Sequence, residues 1–318
     1  MYKGFFGLKE NPFNVSPDPR YLFVTEQIEE TLSSLMYGIQ TRKGIVTLTG
    51  EVGTGKTTLV NRVLDWLHER ATKTAFLFNS RMNSTQLFDF VLAEFEIECE
   101  SSSKSRQLMK LNQWLLDRFR AGETAVLIID EAQNLTFPVL EEIRMLTNLE
   151  TSTEKLLQIV LSGQPELEEK LNLPQLRQLR QRIMLRCKTS PLRKEQTHAY
   201  ILERLKIAGA VANGQPIFSP LAIETVHLYS LGIPRVVNLL CEHALINAYV
   251  EQQRPIQPKI VEDVAREFQL DEVEPIVSPE NLRTSAELYN SEAFIQNIGE
   301  ALSRFRMNLS TESLRNKK

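Results

Sequence analysis

Five short apolar runs punctuate the first 190 residues. They lie at 45–49 (Ile-Val-Thr-Leu-Thr), 74–78 (Thr-Ala-Phe-Leu-Phe), 125–129 (Ala-Val-Leu-Ile-Ile), 157–161 (Leu-Gln-Ile-Val-Leu) and 184–187. They are too short for buried helices and read as strands. Between them apolar residues return every three or four positions, as in 26–42, where Ile28, Leu32, Leu35, Met36 and Ile39 share one face. Strands alternating with helices predict βαβ units and a parallel sheet. The nearly unbroken apolar character of the strands agrees, because a parallel sheet is covered on both faces and its strands need not alternate. The pattern changes after Pro191. Residues 193–208, 219–230, 234–250 and 258–269 all carry helical spacing, with no strand between them.

The chain therefore divides into four parts. Residues 1–24 are aromatic, proline-rich and irregular, with Phe5, Phe6, Pro12, Phe13, Pro17, Pro19, Tyr21, Leu22 and Phe23. Their prolines exclude a long helix, and the aromatics are expected to pin the segment to the domain. Residues 25–191 form the α/β domain and 192–270 an all-helical domain in the position of a lid. Residues 271–318 begin as a linker rich in acids and prolines. They continue with Ile295, Ile298, Leu302, Phe305 and Leu309 at helical steps, an amphipathic stretch suited to docking a membrane partner or folding back on its own domain.

Composition narrows the function. The chain has 318 residues, 42% hydrophobic and 24% charged, with net charge -3. That balance is ordinary for a globular protein and gives no global drive toward nucleic acid or acidic lipid. Cys99, Cys187 and Cys241 are far apart, as are His68, His198, His227 and His243, so neither set has metal-ligand spacing. The N-terminus lacks the apolar core of a signal peptide, and no run approaches the ~18 apolar residues of a membrane span. The reading is a cytoplasmic protein.

The chemistry is concentrated in a few turns. Gly50-Glu51-Val52-Gly53-Thr54-Gly55-Lys56-Thr57 fits the phosphate-binding pattern G-x-x-x-x-G-K-[ST]. It follows a strand candidate and opens a helix candidate over 57–70, which is the context that phosphate binding needs. The glycines let the backbone curl around phosphate oxygens, Lys56 reaches the β- and γ-phosphates, and the Thr57 hydroxyl is suited to Mg²⁺. The helix adds the positive end of its dipole. ATP with Mg²⁺ is therefore the expected ligand. The strand at 125–129 ends in Asp130 and Glu131, which suit Mg²⁺ binding and activation of water as general base. Such a pair is also an ordinary loop ending, and the upstream phosphate loop favours the functional reading.

Other polar positions cluster by the same logic. Gln164 or Ser162, at the end of the 157–161 strand, can sense the γ-phosphate or orient water. Asn79 ends the strand beside the acid pair and can hold Glu131 until a partner binds; a turn-forming role fits it equally. Arg177, Arg180 and Arg182 precede the last strand. An arginine donated by a neighbouring subunit stabilises the transferring phosphoryl group; Arg182 is the first choice and Arg180 the second, although pairing with Glu168 or Glu169 also accounts for such residues. Gly232-Ile233-Pro234-Arg235 opens a helix, which places Arg235 to couple that helix to the γ-phosphate.

Taken together, these segments resemble an AAA+ ATPase, and more narrowly the ATPase A component of type II general secretion pathways. The resemblance covers about residues 1–270. It rests on Phe6-Gly7-Leu8, Asn11-Pro12-Phe13, Pro17-Asp18-Pro19, Tyr21-Leu22-Phe23, the phosphate loop through Thr58, Ile129-Asp130-Glu131-Ala132-Gln133, Gly163-Gln164-Pro165-Glu166-Leu167, residues 176–183 and Gly232-Ile233-Pro234-Arg235-Val236-Val237-Asn238. It implies a P-loop NTPase of the AAA+ type, with a parallel five-stranded sheet and a C-terminal all-helical lid. It also implies a homo-oligomer with an arginine acting in trans, and a secretion-machine or membrane protein as partner. Thr58 joins the nucleotide-binding set on this basis. That family carries a membrane span and a periplasmic region after the lid, and residues 271–318 show neither. The expectation is thus a cytoplasmic motor recruited to the inner membrane by a partner. DNA-transposition ATPases share the same core and give the alternative, a DNA-associated regulator; a nucleotide-switched scaffold with little turnover is a third.

Overall fold

The computed structural model describes residues 2–14, 19–78, 82–101, 103–210 and 215–270. The chain forms two compact units. Of the described residues, one takes in those from 19 to 196 together with Ile233–Arg235, and the other those in 2–14, 197–232 and 236–270.

In chain order, α1 (Tyr2–Phe6) and α2 (Glu26–Gln40) precede β1 (Ile45–Thr49), which runs into α3 (Lys56–His68). Next come β2 (Thr72–Leu77), α4 (Ser84–Glu94), α5 (Lys104–Arg120) and β3 (Thr124–Ile129). Then follow α6 (Phe137–Leu146), β4 (Leu157–Gly163), α7 (Pro165–Asn172), the short α8 (Arg177–Arg180) and β5 (Ile183–Lys188). The remaining helices are α9 (Lys194–Ile207), α10 (Pro220–Ser230), α11 (Pro234–Val250) and α12 (Pro258–Glu267).

The five strands make one parallel sheet in the order β2-β3-β4-β1-β5. Successive residues of β3 serve opposite faces, as the pleat requires. Leu127 and Ile129 join a core with Leu87, Phe88, Leu111, Leu115, Leu140 and Ile143 from α4, α5 and α6. Val126 and Ile128 join the other core, with Leu35, Ile39, Leu59, Val63 and Leu67 from α2 and α3. Both layers are built of buried apolar side chains, which is why the strand had to be apolar throughout. β2 starts at Thr72, earlier than its apolar run. Thr72 and Lys73 pair with Thr124 and Ala125 at the sheet edge, where polar residues are tolerated and hydrophobic patterning is blind. Phe78 lies beyond its end and is exposed.

The irregular N-terminal segment divides between the units. Residues 2–14 group with the helical one. Phe13 is fully buried and meets Phe218 edge-on at 6.2 Å between centroids. The Lys9 amide donates to the Ala208 carbonyl at 2.8 Å. The Tyr2 hydroxyl donates to the Glu242 carboxylate at 2.8 Å, and burial with this partner pushes its pKa far up. Arg204, itself buried, donates to the Pro12 carbonyl at 2.6 Å and to the Tyr200 hydroxyl at 3.0 Å. That hydroxyl in turn donates to Asn238 Oδ1 at 2.8 Å, so these polar groups are linked in a hydrogen-bonded chain within the buried interior. Leu22, by contrast, packs in the α2–α3 core of the α/β unit. Asn79 and the 271–318 tail lie outside the described residues.

Candidate functional site

Strand order creates the site. β4 separates β1 from β3, so the turns leaving the C-terminal ends of these three strands stand side by side at the point where the chain reverses direction across the sheet. The 50–57 loop leaves β1, Asp130 and Glu131 leave β3, and Gln164 leaves β4.

The phosphate loop is held from behind. Gly50 donates its N–H to the Gly163 carbonyl at 3.3 Å, and a Cβ on Gly50 would meet Thr189 Oγ1 at 2.0 Å. The residue is glycine here because the chain leaving β5 passes directly over it. Thr189 also shares a 2.7 Å hydrogen bond with Thr54 Oγ1, which donates to the Glu51 carbonyl at 2.7 Å. Gly53 has φ +83°, and an added Cβ would come within 2.7 Å of Arg235 Cβ. The Arg235 N–H donates to the Gly53 carbonyl at 3.2 Å. The Ile233–Arg235 turn is thus part of the α/β unit, stacked on the phosphate loop, with the Arg235 side chain exposed.

Lys56 begins α3 and is buried; Nζ donates to the carbonyls of Gly50 at 2.7 Å and Glu51 at 2.9 Å. Burial lowers its pKa, opposed by the surrounding carboxylates of Glu131, Asp130, Glu51 and Glu166. Glu51 is shifted upward, by burial first and then by Glu166. Gly55 caps α3 without a side chain, and the first turn holds no acid. The leading N–H groups of that turn have no partner within the helix. Thr57 is exposed there, with Thr58 next to it, half-buried, and Val52 is half-buried in the loop.

The acid pair is rigidly placed. Asp130 is buried; Oδ1 accepts from the Ser162 hydroxyl at 2.7 Å and from the Glu131 N–H at 3.0 Å, while Oδ2 lies 3.5 Å from Thr57 Oγ1. Ser162 is fully buried, and its hydroxyl is engaged in orienting Asp130. Glu131 sits in the left-handed region with φ 53°. Gln164 Nε2 donates to Glu131 Oε2 at 3.2 Å. The donor set fits a magnesium nucleotide: an uncapped helix start and a buried ammonium for phosphates, a hydroxyl and a carboxylate at 3.5 Å for the metal, and acids in excess of cations around Lys56 that favour a divalent ion.

Arg182 lies away from this pocket in its own chain. Ile183 pairs with Ile45, the first residue of β1, whereas the loop follows Thr49. Four residues at about 3.3 Å each put Arg182 about 13 Å or more from the loop, at the other rim of the sheet. There Arg182 Nη1 donates to Thr147 Oγ1 at 3.2 Å, Arg180 to Asn172 Oδ1 at 3.5 Å, and Arg177 is exposed. Sequence reasoning missed Thr189, whose contact with Gly50 follows only from strand order.

Comparison with known proteins fits this geometry. Residues 39–171 match the model of the AAA domain. Over those residues the chain is similar to an AAA domain. The chain is 45% identical over 257 residues to general secretion pathway protein A of Aeromonas hydrophila, covering 80% of its own length and 46% of that protein's. It thus spans about half of the relative it matches. Among solved structures it resembles Cdc6p of Pyrobaculum aerophilum, with a TM-score of 0.63 and 19% identity over 82% of this chain and 71% of that one. It also resembles the ADPNP–ADP complex of the ORC2 protein of Aeropyrum pernix, with a TM-score of 0.59 and 16% identity over 81% and 72%. The Holliday junction branch migration motor RuvB of Thermotoga maritima gives 0.52 and 18% over 78% and 71%. At these identities the structural likeness speaks to fold alone. No helix among the described residues is long and apolar enough to cross a membrane.

Proposed function

We propose that this chain binds ATP with Mg²⁺ and hydrolyses it as an oligomer, in the service of a secretion or envelope-export machine. The observation that carries the chemistry is the pairing of Thr57 and Asp130 across 3.5 Å, with Glu131 one residue further on. In this reading Lys56 and the first N–H groups of α3 neutralise the phosphates. Thr57 and Asp130 hold the metal, which supplies charge neutralisation at the phosphates. Glu131 takes the proton of the attacking water. Gln164 and Arg235 flank the pocket and contact the nucleotide's terminal phosphate. Arg182, or after it Arg180, serves the pocket of a neighbouring copy, because Arg182 lies away from its own. The secretion role is supported by the 45% identity to a protein named for that pathway. The working location is the cytoplasm, with a partner holding the assembly at the inner membrane.

The test is phosphate release with Mg²⁺ over a range of protein concentrations. Turnover per chain should climb with concentration as copies meet. Glu131→Gln should keep ATP binding and accumulate larger ATP-loaded species on a sizing column, with kcat down about 10²–10⁴-fold. Lys56→Ala should bind ATP at least about a hundredfold more weakly. Absence of calorimetric heat from ATP with Mg²⁺ on folded protein would overturn the reading. In cells that make this chain, export that continues normally without it would remove the secretion role alone.

A further inference from the structure

Gln133 has no part in the chemistry above, yet it bonds directly to the proposed base. Its Nε2 donates to Glu131 Oε2 at 2.6 Å. Its Oε1 accepts the Gln164 N–H at 3.1 Å. Gln164 Nε2 donates to the same Glu131 oxygen at 3.2 Å, which closes a ring through three residues, with Gln164 contributing both its main-chain N–H and its side chain. The amide of Gln133 can be oriented only one way, because a main-chain N–H faces one end and a carboxylate the other.

The surroundings fix it further. Lys170 donates to the carbonyl of Gln133 and, at 3.0 Å, to that of Leu135, and so holds the turn over 132–134 in place. A Cβ on Gly163 would lie 2.9 Å from Gln133 Oε1, so the absence of a side chain at 163 makes room for this amide. Glu131 itself occupies a left-handed backbone conformation that a non-glycine residue keeps only when its surroundings hold it there.

We infer that Gln133 is a positioning residue for hydrolysis: it aims the Glu131 carboxylate at the attacking water, and it ties that aim to the β4–α7 turn through the Gln164 peptide. The inference rests on Glu131 being the base. Two amides on one carboxylate oxygen fix both the side-chain torsions and the plane of the carboxylate, which is the alignment that proton abstraction requires. Both polar ends of Gln133 are taken by Glu131 and the Gln164 peptide, so its loss should leave nucleotide binding intact.

The experiment compares Gln133→Leu, which keeps the volume and removes both polar ends, with Gln133→Asn, which keeps the amide on a shorter stem. Expected for Gln133→Leu is a kcat down roughly tenfold to a hundredfold, with KM for ATP within about twofold of the parent. Gln133→Asn should recover part of the loss. In a Glu131→Gln background, Gln133→Leu should change the residual rate by less than about twofold, because a residue acting through Glu131 has no effect once the base is gone. A readout free of turnover is the side-chain amide of Gln133 in ¹⁵N–¹H spectra, identified by its loss in Gln133→Leu. Glu131→Ala should move it strongly, with no nucleotide present.

An unchanged kcat in Gln133→Leu, or an equal loss with and without Glu131, overturns the inference while hydrolysis itself stands. If the parent protein does not hydrolyse ATP, the base assignment falls and this inference with it, whereas an amide resonance indifferent to Glu131→Ala refutes the contact alone.

Discussion

The Ser162 hydroxyl donates a 2.7 Å hydrogen bond to Oδ1 of Asp130, and both residues are buried. Neighbouring strands β3 and β4 bring them together, and the contact leaves Oδ2 facing Thr57. A partner that orients a metal-binding carboxylate is typically worth 10–100-fold in affinity or activity. Ser162→Ala should therefore raise the Mg²⁺ concentration needed for half-maximal ATP turnover about tenfold or more, with little change in folding. A magnesium titration identical to the parent's would show that the hydroxyl has no such role.

Gly53 joins the phosphate loop to Arg235. Its φ of +83° disfavours any side chain, and the space a Cβ would need is taken by Arg235 Cβ at 2.7 Å and Ile233 Cγ2 at 3.1 Å. Gly53→Ala must deform the loop or displace the Ile233–Arg235 turn. About 1–2 kcal/mol for the backbone alone corresponds to roughly tenfold weaker ATP binding. Calorimetric titration measures this, and an affinity within twofold of the parent would count against it.

Phe13 anchors the N-terminal segment within the helical unit. It is fully buried and edge-on to Phe218. Truncation to alanine leaves a cavity, which costs about 3–5 kcal/mol for a phenylalanine. Phe13→Ala should lower the midpoint of thermal unfolding by several degrees. A cost below about 1 kcal/mol in urea unfolding would mean that the segment is loosely held.

The cysteines differ in reactivity. Burial, with Glu30 nearby, pushes the Cys187 thiol up to about 11, and complete burial raises Cys241 well above its ordinary value. Cys99 is half-buried, with Sγ 3.6 Å from the Ser101 carbonyl. Alkylation needs the thiolate and access to it. At neutral pH the native protein should take up one equivalent of iodoacetamide, at Cys99, and the unfolded protein three. Modification of Cys187 at the rate of Cys99 in peptide mapping would contradict the buried environment.

The strands and most helices of both units are legible in the chain, because a covered parallel sheet demands apolar runs and packed helices demand spacing of three and four. The phosphate loop is equally legible. Its chemistry depends on residues contiguous in sequence, as does that of Asp130 and Glu131. Tertiary structure alone decided which distant residues support them. Thr189 behind Gly50, Ser162 beneath Asp130 and Gln164 beside Glu131 follow from strand order and from the path of turns between strands, which a local pattern does not encode. The division of the N-terminal segment was likewise hidden, since hydrophobicity says that Phe13 and Leu22 must be buried and is silent on which core receives each. Burial is a property of residue type, whereas the choice of partner is a property of the whole fold.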